Sequence, residues 1–253
     1  MYELASVPQE MGEIVVQGIR LGRMTFRRLF TVSSVLAFMG LIPTVILVWG
    51  KGDDVSFDIS TPLVWLREFE WPYGISILIA GMFGLIPQAI LLRRIAAAIR
   101  GQDEALPAEL KQVLWLWPVM LLTALAYTLA VALGLILIAP GLIFILSLMF
   151  AQFAVVLDGQ KPFPALNFSH HLVWGNWWRT LGLMLLIYVP FDLVVRIFAA
   201  ILGLDAGAND SLHGRDLFKE AVLEMVLLAV LAPFFFSIQY LYYHDLKLRK
   251  QAN

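Results

Sequence analysis

Four stretches of this chain run for about 20 residues or more without a charged side chain, the length that an α-helix needs to cross the apolar core of a bilayer. They are residues 29–49, 73–92, 113–133 and 135–157. A water-soluble core could not hide this much apolar surface, because 60% of the residues are hydrophobic and only 15% are charged, against roughly half and a quarter in soluble domains. The chain is therefore predicted to be an integral membrane protein.

Two further apolar stretches contain ionisable residues. Residues 180–204 contain Asp192 and Arg196, and residues 221–243 contain Glu224. We expect one integral membrane domain over residues 1–253, with an all-α fold. Its six transmembrane helices are predicted at about 29–49, 73–92, 113–133, 135–157, 180–204 and 221–243. Gly74, Gly81 and Gly84 form one thin face of the second span, on which we expect close helix packing.

Lysines and arginines are concentrated in alternate connecting segments. Thirteen lie in the N-terminal arm, the second and fourth loops and the C-terminal tail, against four in the other loops. Cytoplasmic segments of membrane proteins carry such an excess of positive charge. The pattern therefore predicts that both termini are cytoplasmic.

Amphipathic interfacial helices are predicted before spans 1 and 5. Ser6 and Gln9 have the spacing of a helix start, and Pro8 fits the first turn. The expected apolar face of the first segment then consists of Met11, Val15, Ile19, Gly22 and Phe26. The segment after Pro164 places Ala165, Phe168 and Leu172 opposite Asn167, His170 and His171. Both segments suit the headgroup level of a bilayer, although an ordinary solvated extension of the first span would also explain the first one.

The run APGLIFILSLMFAQFAVVLDG, followed by KPFPAL and FSHHLVWGNWW, resembles the YciC-like bacterial inner-membrane proteins. It also resembles the membrane domain attached to some glycerophosphodiester phosphodiesterases. The matching positions are Pro140-Gly141, Asp158, Ala165-Leu166 with Ser169, and Gly175-Asn176-Trp177. The closing YLYYHDLKLRK is similar to the aromatic, basic C-terminus of these proteins. The resemblance implies a six-span protein of the bacterial inner (plasma) membrane, and it implies no chemical activity.

The motifs of enzymes and metal sites are missing from the sequence. It has no cysteine, G-x-S-x-G or phosphate-binding loop motif. His170 and His171 are adjacent, so they lack the i, i+4 spacing of two ligands on one helix face. We therefore predict no catalytic residue, no metal and no cofactor, and hence no enzymatic activity. A net charge of −1 gives no reason to expect nucleic acid as a partner.

Asp192, Arg196 and Glu224 form the candidate intramembrane polar network. Ionisable side chains inside a span are costly unless they are paired or hydrated, and such residues often mark function. Asp192 and Arg196 are separated by four residues, so they can neutralise each other on one helix face. A structural ion pair and a role in binding or transport therefore both remain open for this network.

Two functions are consistent with these features. The first is a non-enzymatic inner-membrane protein with a role in envelope or lipid homeostasis, whose partners are membrane lipids. The alternative is a transporter of small solutes or lipids that uses Asp192, Arg196 and Glu224 together with proline-interrupted spans. A membrane-bound hydrolase is a third class, but no residue pattern supports it.

The predicted topology can be tested with single cysteines, because the natural chain contains none. Cysteines that replace Asp54 and Asn209 should react with an impermeant maleimide in intact cells. Cysteines that replace Asp103 and Gln160 should react only after the cells are opened. The reverse pattern at either pair would contradict cytoplasmic termini.

Overall fold

The structure is a computed structural model that describes residues 4–51, 71–102, 106–203 and 214–252. These residues are helical throughout apart from short turns, and they contain no strand. The helices are α1 (Met11–Lys51), α2 (Trp71–Arg100), α3 (Leu106–Leu135), α4 (Ala139–Ser147), α5 (Ala151–Asp158), α6 (Pro162–Val173), α7 (Trp177–Ile201) and α8 (Gly214–Ala252). The all-α fold class is confirmed.

Six helical segments of the described chain are long and apolar enough to cross a membrane. Five of them lie in α1, α2, α3, α7 and α8, and the sixth is Ala139–Asp158, which comprises α4 and α5. This confirms the predicted polytopic architecture with six spans. Between the third and fourth spans, α3 ends at Leu135 and α4 begins at Ala139, with Pro140 in its first turn.

The helices divide into two compact units. Unit 1 comprises Met1–Val32, Leu85–Ile187 and Ala232–Asn253, and unit 2 comprises Ser33–Gly84 and Tyr188–Leu231. Unit 1 therefore contains all of α3 to α6, the first parts of α1 and α7, and the last parts of α2 and α8. Unit 2 contains the remaining parts of α1, α2, α7 and α8. One integral membrane domain over residues 1–253 stays a prediction.

The amphipathic segment predicted before the first span is the N-terminal part of α1, which continues without a break to Lys51. Its buried face coincides only in part with the expected apolar face: Gly22 is buried, and Met11, Val15 and Phe26 are half-buried. Ile14, Leu21 and Thr25 are at most 4% exposed, whereas Ile19 is 44% exposed. The expected apolar face and the buried face therefore overlap only in part, because packing against a neighbouring helix depends on small residues as well as on apolar volume.

Gly18 and Gly22 bring α1 and α8 into backbone contact within unit 1. A Cβ atom on Gly18 would lie 2.4 Å from Ile238 Cγ1 and 2.8 Å from Ile238 Cα. A Cβ atom on Gly22 would lie 2.8 Å from Phe234 Cδ1 and 3.0 Å from Phe234 Cα. Small residues four apart are the usual means by which membrane helices approach this closely.

The close packing expected on the glycine face of the second span is not found at Gly81 or Gly84, whereas Gly74 is buried. Gly81 would have no atom within 4 Å of an added Cβ, and Gly84 would meet only Leu36 Cδ1 at 3.9 Å. Spacing alone shows which glycines share a face of a helix. Whether another helix approaches that face depends on the tertiary packing.

A serine on α6 forms hydrogen bonds with backbone groups at the break between α4 and α5. The Ser169 hydroxyl donates a hydrogen bond to the Ser147 carbonyl at 2.8 Å and accepts one from the Phe150 amide at 3.1 Å. Buried backbone groups without a partner would be costly here, so the fully buried Ser169 makes the interruption possible. This explains the serine in the Ala165-Leu166/Ser169 motif.

The helix α6 is the amphipathic helix predicted before the fifth span. It packs against α3, α4 and α5. Ala165, Ser169 and Leu172 are buried, whereas Asn167 and His171 are exposed. The predicted division of its faces is thus confirmed at Ala165, Leu172, Asn167 and His171.

The substitution Gly18→Ala should destabilise the protein, because its new Cβ would overlap both the side chain and the backbone of Ile238. Overpacking of this kind costs about 1–3 kcal/mol, which should lower the melting temperature in detergent. Gly12→Ala is the matched control in the same helix, since nothing lies within 4 Å of its added Cβ. Equal melting temperatures for the two variants would contradict the backbone contact between α1 and α8.

Candidate functional site

The structure brings the three residues of the candidate polar network together in unit 2. Arg196 Nε donates a hydrogen bond to Asp192 Oδ2 at 2.7 Å on α7. Glu224, on α8, lies within electrostatic range of both side chains. The side chains of Arg196 and Asp192 are 70% and 61% exposed, so this pair faces outward from the protein. We predict that Arg196 is shared between Asp192 on its own helix and Glu224 on α8.

The two adjacent histidines lie beside a tryptophan on α6. The ring centroids of His170 and His171 are 5.9 Å apart, and those of His170 and Trp174 are 5.1 Å apart. Among the described residues, no group of three or more His, Cys, Asp or Glu side chains is placed to hold a metal ion. The structure thus gives His170 an aromatic neighbour in Trp174.

A cavity of about 420 Å³ in unit 1 has a lining dominated by guanidinium groups. It lies where the middle of α1, the end of α2 and the start of α3 come together. Its charged lining residues are Arg27, Arg28, Arg93, Arg94, Arg100 and Glu109. Among the described lining residues, five positive charges against one negative charge make this arginine cavity a candidate site for an anion.

Arg94, on α2, forms hydrogen bonds to both of the other helices that line the cavity. Its Nε atom lies 3.0 Å from Glu109 Oε2 on α3, and its Nη1 atom donates to the Arg28 carbonyl of α1 at 2.8 Å. The Glu109 side chain is only 3% exposed, so its charge needs such a partner. Glu109, the single carboxylate among the described lining residues, therefore forms its ion pair with Arg94. The net positive charge of the lining comes from the other arginines.

Arg93 is held on the neighbouring wall of the cavity. Its Nη2 atom donates a hydrogen bond to the side-chain carbonyl of Gln112 on α3. Arg93 and Arg94 are both half-buried, whereas Arg27, Arg28 and Arg100 are exposed. The arginine cavity thus combines two anchored guanidinium groups with three that reach its open side.

A second charged cluster in unit 1 joins the segment before α1 to the start of α7 and the end of α8. The Asp245 side chain, 3% exposed, accepts hydrogen bonds from the Gln9 amide at 2.7 Å and from Arg249 Nε at 2.8 Å. Arg179 Nη2 lies 3.4 Å from the same carboxylate. Both arginines also donate to the Gln9 carbonyl, at 2.6 Å from Arg179 and 2.7 Å from Arg249. Apart from Arg179 Nε, which is buried without a hydrogen-bond partner among the described residues, these groups satisfy one another, so the cluster is structural.

Sequence reasoning missed the arginine cavity. Its arginines contributed to the positive charge that oriented the spans, but they were not considered as a site. The available signal was the pair of Arg-Arg dipeptides, Arg27-Arg28 and Arg93-Arg94. They lie on consecutive membrane helices, and we expected both on the same side of the membrane.

The polar network of unit 2 can be tested by removing its charges in two steps. Arg196→Met should lower the melting temperature in detergent, because it leaves Asp192 and Glu224 without their cation. Adding Asp192→Asn and Glu224→Gln should recover much of the loss. Lys219→Met is the control, since it breaks another short-range pair on α8, that with Asp216. A triple variant no more stable than Arg196→Met would contradict a shared ion pair.

Comparison with known proteins identifies a family for almost the whole chain. Residues 15–246 match the family described as a domain of unknown function (DUF7847). No curated protein and no solved structure matches the chain. The match extends from the first part of α1 to the last part of α8, so it covers both units. The chain therefore belongs to the DUF7847 family.

Proposed function

We propose that this protein binds the phosphate group of an anionic phospholipid in the arginine cavity. It acts as a non-enzymatic membrane protein with a role in envelope or lipid homeostasis. The observation that carries the proposal is the lining of a cavity of about 420 Å³ by five arginines and one glutamate.

The chemistry of arginine supports a phosphate as the anion. A guanidinium group presents its N–H donors in a planar fork that matches two phosphate oxygens. Arg93 and Arg94 are already oriented by Gln112 and Glu109. A phosphate that enters the cavity would therefore meet donors whose side-chain entropy is already reduced.

The surroundings of the cavity support a lipid as the source of the phosphate. Apolar side chains close to the lining in sequence are exposed: Met24 and Phe30 on α1, and Leu110, Leu114 and Trp115 on α3. Acyl chains can cover such residues when the phosphate occupies the cavity. Basic pockets between membrane helices on the cytoplasmic side bind anionic headgroups in the same way.

The proposal includes an orientation and a membrane. The excess of lysine and arginine beside the cavity supports cytoplasmic termini, so the lipid would be taken from the cytoplasmic leaflet. The resemblance to the YciC-like proteins and to the phosphodiesterase-linked membrane domain supports the bacterial inner membrane. Neither nucleic acid nor a cofactor is part of the proposed function.

Transport through the polar network of unit 2 is the second candidate function. The proximity of Asp192, Arg196 and Glu224 favours it. Against it, Asp192 and Arg196 neutralise each other, and their side chains are more than half exposed. A stabilising ion pair accounts for both observations without a transported solute.

The phosphate site can be tested with the variant Arg27→Gln/Arg28→Gln/Arg100→Gln. It removes three arginines of the cavity but keeps the contacts of Arg93 and Arg94. Binding of short-chain phosphatidic acid, measured by calorimetry in detergent, should weaken at least about tenfold, because each lost charged hydrogen bond contributes about 1.5–3 kcal/mol. Melting temperatures would show that the variant is folded.

The control is the double variant Arg20→Gln/Arg23→Gln. It removes two positive charges from the same helix, but neither residue is among those that line the cavity. Its affinity for phosphatidic acid should stay within about twofold of the natural protein, since only long-range attraction is lost. Equal weakening in both variants would contradict a defined phosphate site.

A further inference from the structure

A second cavity in unit 1, of about 280 Å³, shares a wall with the arginine cavity. Arg93 and Arg100 line both cavities. The polar remainder of the second lining comes from the end of α5 and the last part of α8: Asp158, Tyr240, Tyr243, His244 and Lys247. We name it the Tyr240 cavity.

The charges that belong to the Tyr240 cavity alone cancel. Lys247 Nζ donates a hydrogen bond to Asp158 Oδ1 at 2.8 Å, and the Tyr243 hydroxyl donates to Asp158 Oδ2. Lys247 Nζ also lies 5.4 Å from the centre of the Tyr243 ring. The positive charge of this region is therefore concentrated in the shared wall, and the rest of the cavity is neutral and polar.

The remaining polar groups can both donate and accept hydrogen bonds. A carboxylate has about four acceptor sites, of which Lys247 and Tyr243 occupy two on Asp158. The Tyr240 hydroxyl can donate or accept, and so can the ring nitrogens of a neutral His244. This combination matches a hydroxyl group, which also donates and accepts.

Charged headgroups fit the Tyr240 cavity less well. An ammonium group would face Lys247 and the two shared arginines, and like charges repel. A second phosphate would find Lys247 already paired with Asp158, so it would gain little charge stabilisation away from the shared wall. A neutral headgroup with several hydroxyls meets no such repulsion.

We infer that the bound lipid carries a polyol headgroup, such as glycerol, inositol or a sugar. Its phosphate lies on the wall formed by Arg93 and Arg100, and its hydroxyls occupy the Tyr240 cavity. This assignment rests on the proposed phosphate site and specifies the lipid class that the site selects.

The experiment compares three short-chain lipids with identical acyl chains: phosphatidylglycerol, phosphatidic acid and phosphatidylethanolamine. In calorimetry on the purified protein, phosphatidylglycerol should bind roughly tenfold more tightly than phosphatidic acid, because two added hydrogen bonds contribute about 1 kcal/mol each. Phosphatidylethanolamine should bind most weakly. Free glycerol phosphate should compete poorly, since it lacks the acyl chains that, in the proposal, cover the exposed apolar side chains of α1 and α3.

Variants of the Tyr240 cavity should change this preference alone. Tyr240→Phe and, separately, Tyr240→Phe/His244→Leu should reduce binding of phosphatidylglycerol several-fold while leaving phosphatidic acid unchanged. Unchanged binding of phosphatidic acid would also show that each variant is folded. Tyr188→Phe, which alters a tyrosine of unit 2, is the control and should leave both affinities unchanged.

The outcomes separate the two proposals. Equal binding of phosphatidylglycerol and phosphatidic acid by the natural protein would overturn the polyol assignment and leave the phosphate site standing. Binding of phosphatidylethanolamine as tight as that of phosphatidylglycerol, or a preference that survives both cavity variants, would overturn it too. Equally effective competition by glycerol phosphate would overturn a lipid as the source. If no phospholipid bound, both proposals would fail.

Discussion

The buried carboxylate of Asp245 is the interaction on which unit 1 depends. It binds the Gln9 amide and the guanidinium group of Arg249, with Arg179 at its edge, and so joins the start of α1 to the start of α7 and the end of α8. A buried carboxylate without such partners would be strongly destabilising. Once these ends are fastened, α1 lies along α8, and Gly18 and Gly22 allow the two backbones to touch. The position of α1 in turn determines where Arg27 and Arg28 lie.

The pairing of carboxylates in unit 1 explains why the arginine cavity is positive. Each of three carboxylates forms ion pairs with basic side chains: Asp245 with Arg249 and Arg179, Asp158 with Lys247, and Glu109 with Arg94. Among the described residues that line the arginine cavity, the other charged side chains are arginines, at positions 27, 28, 93 and 100. A bound phosphate would neutralise part of this charge, and a bilayer surface supplies phosphate in covalent attachment to apolar chains. A phospholipid would then neutralise the arginines with its phosphate and cover the exposed apolar side chains with its acyl chains.

The sequence was sufficient for the spans because an uncharged apolar run of about 20 residues has few other structural solutions. It was also sufficient for the Asp192–Arg196 pair, since residues four apart on a helix are neighbours. It was insufficient for the buried face of α1, because the contact with α8 includes Gly18, which the expected face omitted, and leaves Ile19 exposed. The arginine cavity could not be predicted from local sequence patterns. Arg28 and Arg94 are 66 residues apart in the chain, and only tertiary packing places them on one cavity.

The most direct measurement is native mass spectrometry of the protein released from membrane nanodiscs without added lipid. If the arginine cavity selects a phospholipid, the natural protein should retain one whose fragments contain a phosphate and a polyol. The Arg20→Gln/Arg23→Gln protein should retain the same lipid, and the Arg27→Gln/Arg28→Gln/Arg100→Gln protein should lose it. A natural protein that emerges free of phospholipid, or a triple variant that keeps the same lipid in the same amount, would contradict the account.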